Sequence, residues 1–245
     1  MRRGHPSPGR LTILVGLGAA LVAGCGTSGP ATAAPAASSA SGSGSASPGS
    51  SAPGPSAPGG SSGPTSSRPV GAYSLTLPAG WRSVQIGSNY AATASAYNAV
   101  NLRFATSLAS QLLALPKSAS AYAYDESDAT VRSGALVAVT VTEVVLPATV
   151  TLDAFSTEIG RQVSLLVETP VQPVRIQTAS GPADQYAYQA PLNTSAAGTE
   201  VAAITQVLLV APGRGYVLTF GTAPARAATD APVFARIASS FALAP

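Results

Sequence analysis

Residues Gly26 to Ser67 consist only of Gly, Ala, Ser, Thr and Pro, 42 consecutive positions without a charge, an aromatic ring or a large aliphatic side chain. Such a run cannot bury enough apolar surface to offset the entropy of ordering it, so it is expected to stay disordered. Any folded unit must therefore lie after it, in residues 70–245. That length is enough for a real core, because a domain of about 150 residues buries roughly 70% of the surface its unfolded chain exposes. As a flexible coil the run would span on the order of 35 Å root-mean-square. It reads either as a spacer that carries the domain away from its point of attachment or as a neutral linker of indifferent sequence. Its Ser, Thr and Pro content also permits O-glycosylation.

The segment before the run has a different character. Arg2, Arg3 and Arg10 make a positive start, Leu11 to Val22 an apolar stretch, and Ala23-Gly24 the small residues expected before a cleavage point. This is the pattern of an export signal, and the apolar stretch falls short of the ~20 residues that span a bilayer. The chain carries a formal charge of +3, yet all ten acidic residues lie at or beyond Asp125 while three of the thirteen Lys and Arg lie in the leader. Removal of residues 1–24 leaves ten positive side chains against ten negative ones. A neutral chain without clustered Lys or Arg does not point to nucleic acid.

Val22-Ala23-Gly24-Cys25 resembles the lipobox of bacterial lipoproteins, an aliphatic residue and two small ones before a cysteine. The resemblance implies cleavage before Cys25, a diacylglycerol on its sulfur, further acylation of the new N-terminus, and a membrane partner reached through that lipid anchor. The bland alternative is an ordinary cysteine beside a plain secretory site. Cys25 is the only cysteine, so no intramolecular disulfide can form even in an oxidising compartment. The expected organisation is a signal peptide at 1–24, a lipidated cysteine with its tether at 25–69, and one domain at 70–245.

Within the domain, Tyr73 to Leu77 alternates apolar and polar residues, and Pro78-Ala79-Gly80 then turns into a second strand at Trp81 to Val84, which together predict an N-terminal hairpin. Leu108, Leu112 and Leu115 suggest a helix from Ser107 to Leu115, ended by Pro116. Ala135 to Leu146 is the strongest strand, with Val137, Val139, Val141 and Val145 on one side and Thr140 and Thr142 on the other, as in a sheet covered on one face. Thr151 to Val167 predicts a helix capped by Thr151, with Leu152, Phe155, Ile159, Val163 and Leu166 on one stripe. Strands are expected at Val174 to Thr178, Gln185 to Gln189, Val201 to Val210 and Gly215 to Phe220, the last two joined through Ala211-Pro212-Gly213-Arg214. A last helix begins near Asp230 with Pro232 in its first turn. This order of elements argues for one α+β domain, an antiparallel sheet with helices packed on it.

Tyr73-Ser-Leu-Thr-Leu-Pro-Ala-Gly-Trp81, Thr151-Leu-Asp-Ala-Phe155, Gly215-Tyr-Val-Leu-Thr-Phe220 and Phe234-Ala-Arg-Ile237 with Ser240-Phe241, in that order, resemble the PsbP-like fold and within it the actinobacterial lipoproteins of the LpqN type. The resemblance implies a non-enzymatic binding or assembly module at the cell envelope, with a protein or glycan of the envelope as partner, and it carries over no catalytic residue and no cofactor.

The residues themselves point the same way. The sole histidine, His5, sits in the leader, so the domain has neither His nor thiol, which excludes Ser-His-Asp and Cys-His catalysis and the common zinc sites. Phosphate and dinucleotide loops are absent as well. Two carboxylates flanking a sugar bond would suffice for glycan hydrolysis, which stays as a rival reading beside a carrier of small molecules or lipid. Asp125, Glu126 and Asp128 could offer oxygens to calcium but lack the glycine and distal Glu of an EF-hand, and fit a solvated loop. Trp81, Arg175, Tyr186 and Tyr188 are the candidate ligand-binding residues: rings stack on sugars or anchor a protein, and a guanidinium pairs with an anion. Trp81 right after a turn is more often a core plug, and Tyr186 and Tyr188 share a strand face that a helix could cover.

Overall fold

The computed structural model describes residues 73–195 and 198–244, with side chains described except at 192–200. The leader, Cys25 and the tether lie outside the described residues. In chain order the strands are β1 (Tyr73–Ser74), β2 (Trp81–Val84), β3 (Ala119–Asp125), β4 (Ala138–Val145), β5 (Val174–Thr178), β6 (Gly181–Ser195), β7 (Gly198–Ala211), β8 (Arg214–Thr222) and β9 (Ala242–Leu243). The α-helices are α1 (Tyr90–Ser95), α2 (Leu102–Leu113), α3 (Asp128–Ser133), α4 (Leu152–Val163) and α5 (Ala227–Ser239). Seven strands form one antiparallel sheet in the order β2-β3-β4-β8-β7-β6-β5, and β1 pairs with β9. The fold class is α+β, an antiparallel sheet with helices packed on it, as expected.

Alternation along β4 shows how the layers are assigned. Val139 and Val141 join Leu218, Phe220, Phe234, Ile237 and Phe241 in a core beneath α5, which β1 helps to cover through Tyr73. The opposite face carries two separate apolar clusters. Leu146, Phe155, Ile159, Val163, Tyr186, Tyr188 and Ile204 pack under α4, whereas Val84, Phe104, Leu108, Leu112, Tyr122 and Tyr124 pack around α1 and α2. Helices thus cover both faces, and the expectation of a single covered face is overturned. Thr142, which the one-sided reading left in solvent, is only 5% exposed.

The N-terminal hairpin is also overturned. Trp81 N–H does bond Pro78 carbonyl across the expected turn, at 3.2 Å. The flanking strands part there: Tyr73 and Ser74 pair with Leu243 and Ala242, while Trp81 to Val84 pair with β3. The turn sends the second strand to the sheet edge, and the first finds its partner at the far end of the chain. By contrast the β7–β8 hairpin forms as predicted, with Gly213 at φ +79 in a two-residue turn that L side chains rarely fit.

Helix α4 starts as its sequence dictates, since Thr151 caps it by accepting from Ala154 N–H at 3.2 Å. It ends four residues early, so Leu166 leaves the predicted stripe and is 40% exposed. Helix α2 begins five residues before the predicted start because Asn101 caps it, accepting from Phe104 N–H. Helix α5 begins three residues ahead of Asp230, and Pro232 lies inside it, past the first turn. Helices α1 and α3, six residues each, and strand β3 were not anticipated from periodicity.

Candidate functional site

Tyr186 and Arg175 stand on adjacent strands, and α4 lies across them. Between α4, the connector that follows it and strands β5 and β6 is an open groove of about 550 Å³, lined by Asp153, Ser156, Thr157, Gly160, Ser164, Pro170, Val171, Gln172, Pro173, Arg175, Asp184 and Tyr186. The volume is that of a small-molecule site. The lining mixes polar side chains with apolar surface, the latter from Pro170, Val171, Pro173 and the Tyr186 ring among others.

Arg175 organises the polar part. Its Nε donates to Asp184 Oδ1 and its Nη2 to Asp153 Oδ1, both at 2.6 Å. Asp184 is buried against β7 and Asp153 projects into solvent from the first turn of α4. The two carboxylates hold the Arg175 guanidinium above its ordinary pKa through these bonds, so it stays charged at any pH the fold survives. Nη1 has no hydrogen-bond partner among the described residues and remains available. One cation between two anions gives the trio a charge of −1, which favours neutral or cationic ligands. The sequence expectation that Arg175 would serve an anion is therefore altered, because two carboxylates of the protein already hold it.

Tyr186 closes the floor. Its hydroxyl donates to the Ser156 carbonyl at 2.8 Å and shares a 3.0 Å hydrogen bond with Ser156 Oγ. Helix α4 comes this near because residue 160 is glycine: a Cβ there would stand 2.8 Å from the Tyr186 hydroxyl. Gly160→Ala should consequently lower stability by about 1–2 kcal/mol, steric cost outweighing the ~1 kcal/mol helix preference for alanine. In a Tyr186→Phe background the same substitution should become neutral or favourable, since the clashing oxygen is gone. A double-mutant cycle by urea denaturation measures both, and equal effects in the two backgrounds would refute the contact.

The four sequence-predicted residues separate into three places. Arg175 and Tyr186 meet in the groove. Tyr188, one pleat along the same face, is buried under α4, and desolvation alone raises its pKa. Trp81 is half-buried at the opposite end of the sheet and packs against the core beneath α5. Asp153 and Asp184 were not singled out from sequence, since their only signal is their contact with Arg175, made in space from three elements.

The acidic run resolves into separate structural duties. Asp125 accepts from Ser127 N–H at 2.9 Å and from Thr130 Oγ1 at 2.5 Å, Glu126 accepts from Tyr97 hydroxyl at 2.6 Å, and Asp128 pairs with Arg132 at 3.4 Å. Among the described residues no group of three or more His, Cys, Asp or Glu could hold a metal ion, and no helix is long and apolar enough to cross a membrane.

No protein-family model matches the chain, and no curated protein matches it. Among solved structures it is similar to cyanobacterial PsbP from Synechocystis sp. PCC 6803, at 15% identity over 78% of this chain and 100% of that one, with a TM-score of 0.46. It is similar to a Bacteroides thetaiotaomicron VPI-5482 protein at 10% identity over 75% of this chain, with a TM-score of 0.44, and spans about half of that protein, 49%. It is also similar to LpqN of Mycobacterium tuberculosis, described as involved in cell envelope biogenesis, at 10% identity over 71% of this chain and 83% of that one, with a TM-score of 0.42. Both groups named by the sequence resemblance are thus among the structural matches.

Proposed function

We propose that the protein is an extracytoplasmic lipoprotein, anchored through Cys25 and the charge-free spacer, whose domain is a non-enzymatic binding module for a cell-envelope component. The observation that carries the binding assignment is the groove beside α4, where Arg175 is fixed by two carboxylates and keeps Nη1 free in a polar lining. A pre-organised guanidinium loses little freedom on binding, which is what a recognition site requires. The charge of the trio selects a neutral or cationic partner, either a glycan of the wall or a protein segment.

The rival hydrolase reading required two acids in one cleft, and Asp153 and Asp184 do share one. Arg175 stands between them, in the space a scissile sugar bond would need, so the pair supports recognition better than hydrolysis. The reading as a carrier of small molecules or lipid required an apolar pocket, whereas this groove is open and sets Asp, Ser, Thr and Gln among its apolar surface.

Crosslinking tests the groove. A photo-crosslinking residue placed at Gln172, exposed on the rim, should trap an envelope component in intact cells, and Arg175→Ala in the same chain should abolish the adduct. Equal trapping from Arg132, on α3 and away from the groove, or persistence after Arg175→Ala, would defeat the assignment.

A further inference from the structure

A row of polar side chains crosses the face of the sheet that carries α2 and α4. By strand register it runs Tyr122, Thr140, Thr219, Gln206, Tyr186. A buried sheet centre is ordinarily filled with Val or Ile, so hydroxyls and a carboxamide there call for a reason. The ends of the row have one. Tyr122 hydroxyl donates to Gln111 of α2, and Tyr186 is held by Ser156 of α4. Each helix satisfies the tyrosine beneath it.

The helices α2 and α4 belong to separate apolar clusters, and neither supplies a hydrogen-bond partner to Gln206 in the middle of the row. Thr140 and Thr219 are half-buried there, while Gln206 is 2% exposed. Its Nε2 reaches Thr219 Oγ1 only at 3.4 Å, and its Oε1 has no partner among the described residues. Turning the carboxamide over exchanges the two atoms and still leaves one of them unpaired. Tyr188, diagonal to Gln206 on the same face, is 7% exposed and its hydroxyl also lacks a partner among the described residues. Native folds seldom leave such groups unpaired, and here two do so at diagonal positions of one sheet face.

We propose that the strip between α2 and α4 is a second binding site, distinct from the groove on the other flank of α4, and that it takes a small neutral polyol such as a single sugar unit. A carboxamide oxygen requires a donor and a phenol either a donor or an acceptor, and a sugar hydroxyl is both. No charged side chain lies in the row, so nothing in it favours an ion. The ligand enters over Thr140 and Thr219, which extend the hydroxyl-lined floor, and rotation of Gln206 brings its end group to meet it.

Titration of the full chain with D-glucose, N-acetyl-D-glucosamine and myo-inositol at millimolar concentrations, followed by melting temperature and by NMR, tests the site. At least one probe should give a saturable shift. Gln206→Leu and Tyr188→Phe should each weaken it about tenfold while leaving melting temperature equal or higher, because each removes a buried unpaired group. The titrations are run in an Arg175→Ala background, where the groove no longer contributes, so that a shift which remains there and is lost on adding Gln206→Leu belongs to this site. The proposal is overturned if no probe saturates, if the shift survives in both variants, or if both variants melt lower without affecting binding, as they would where a structural water alone satisfies the pair.

Discussion

Cys25→Ala is expected to remove the protein from the lipid-anchored state altogether. The wild-type chain should fractionate with membranes and carry the mass of a diacylglycerol on an N-terminal Cys25, whereas the variant should gain no lipid mass and should be found either as a precursor that retains residues 1–24 or in the soluble fraction. The size of the effect follows from acyl-chain energetics. Each buried methylene contributes about 0.8 kcal/mol, a single chain binds a bilayer only marginally, and two chains hold it firmly. Thirteen Lys and Arg cannot substitute for the lipid, since three lie in residues 1–24, which the lipobox reading removes, and the other ten are matched by ten acids. Intact-mass analysis decides the matter: an unmodified cysteine, or a mature start elsewhere, rejects the anchor and leaves the domain's fold and groove untouched.

Asp230→Ala should cost about 3 kcal/mol of folding stability, which for a domain of this size lowers the melting temperature by roughly 6–12 °C. Asp230 is 5% exposed and its carboxylate has three partners. It accepts from Thr222 Oγ1 at 2.6 Å, and from Arg226 Nε at 3.1 Å and Nη2 at 3.0 Å. Arg226 also donates to Thr130 Oγ1 at 3.2 Å, and Thr130 donates to Asp125. These bonds run from α5 on one face, past the end of β8, to α3 on the other, so they tie the two helical layers together around the sheet end. Loss of the Asp230 carboxylate would leave Thr222 unpaired and strip a three-quarters-buried guanidinium of its main partner. Arg226 keeps some contact with water, which is why the lower end of the range for breaking a buried pair applies. Asp128→Ala, whose pair with Arg132 is fully on the surface, should change stability by less than about 0.5 kcal/mol. Calorimetry of both variants is the measurement, and equal effects would show that the network does not join the layers.

Two local readings turned out as read, the start of α4 and the β7–β8 turn. Helix α4 carries its own cap and its own 3- and 4-residue spacing, and the β7–β8 turn carries a glycine at the position that needs positive φ. Both signals lie within a few residues of the structure they specify. Helices α1 and α3 are too short to show a period, and each forms because the chain around it is held. Asn89 and its carboxamide start α1, and the Asp125 carboxylate bonded to Ser127 and Thr130 starts α3. The acidic run looked like a solvated loop because its role is visible only once Thr130 folds back onto it.

Composition and order of residues by themselves determined the balance of charge after residue 24, the lack of histidine and thiol in residues 70–245, and the α+β class. Those properties are sums or local periodicities, and they need no contact between distant residues. The tertiary structure alone decided that β1 pairs with β9, that helices cover both sheet faces, and that Arg175 from β5, Asp184 from β6 and Asp153 from α4 meet in one groove. It also separated two tyrosines that the sequence treats alike. Tyr186 and Tyr188 lie two apart on one strand and face one way, yet Ser156 reaches the first hydroxyl and no described residue bonds the second. Hydrogen-bond partners across a fold are set by where helices come to rest on a sheet, and that position is a property of the whole packed core.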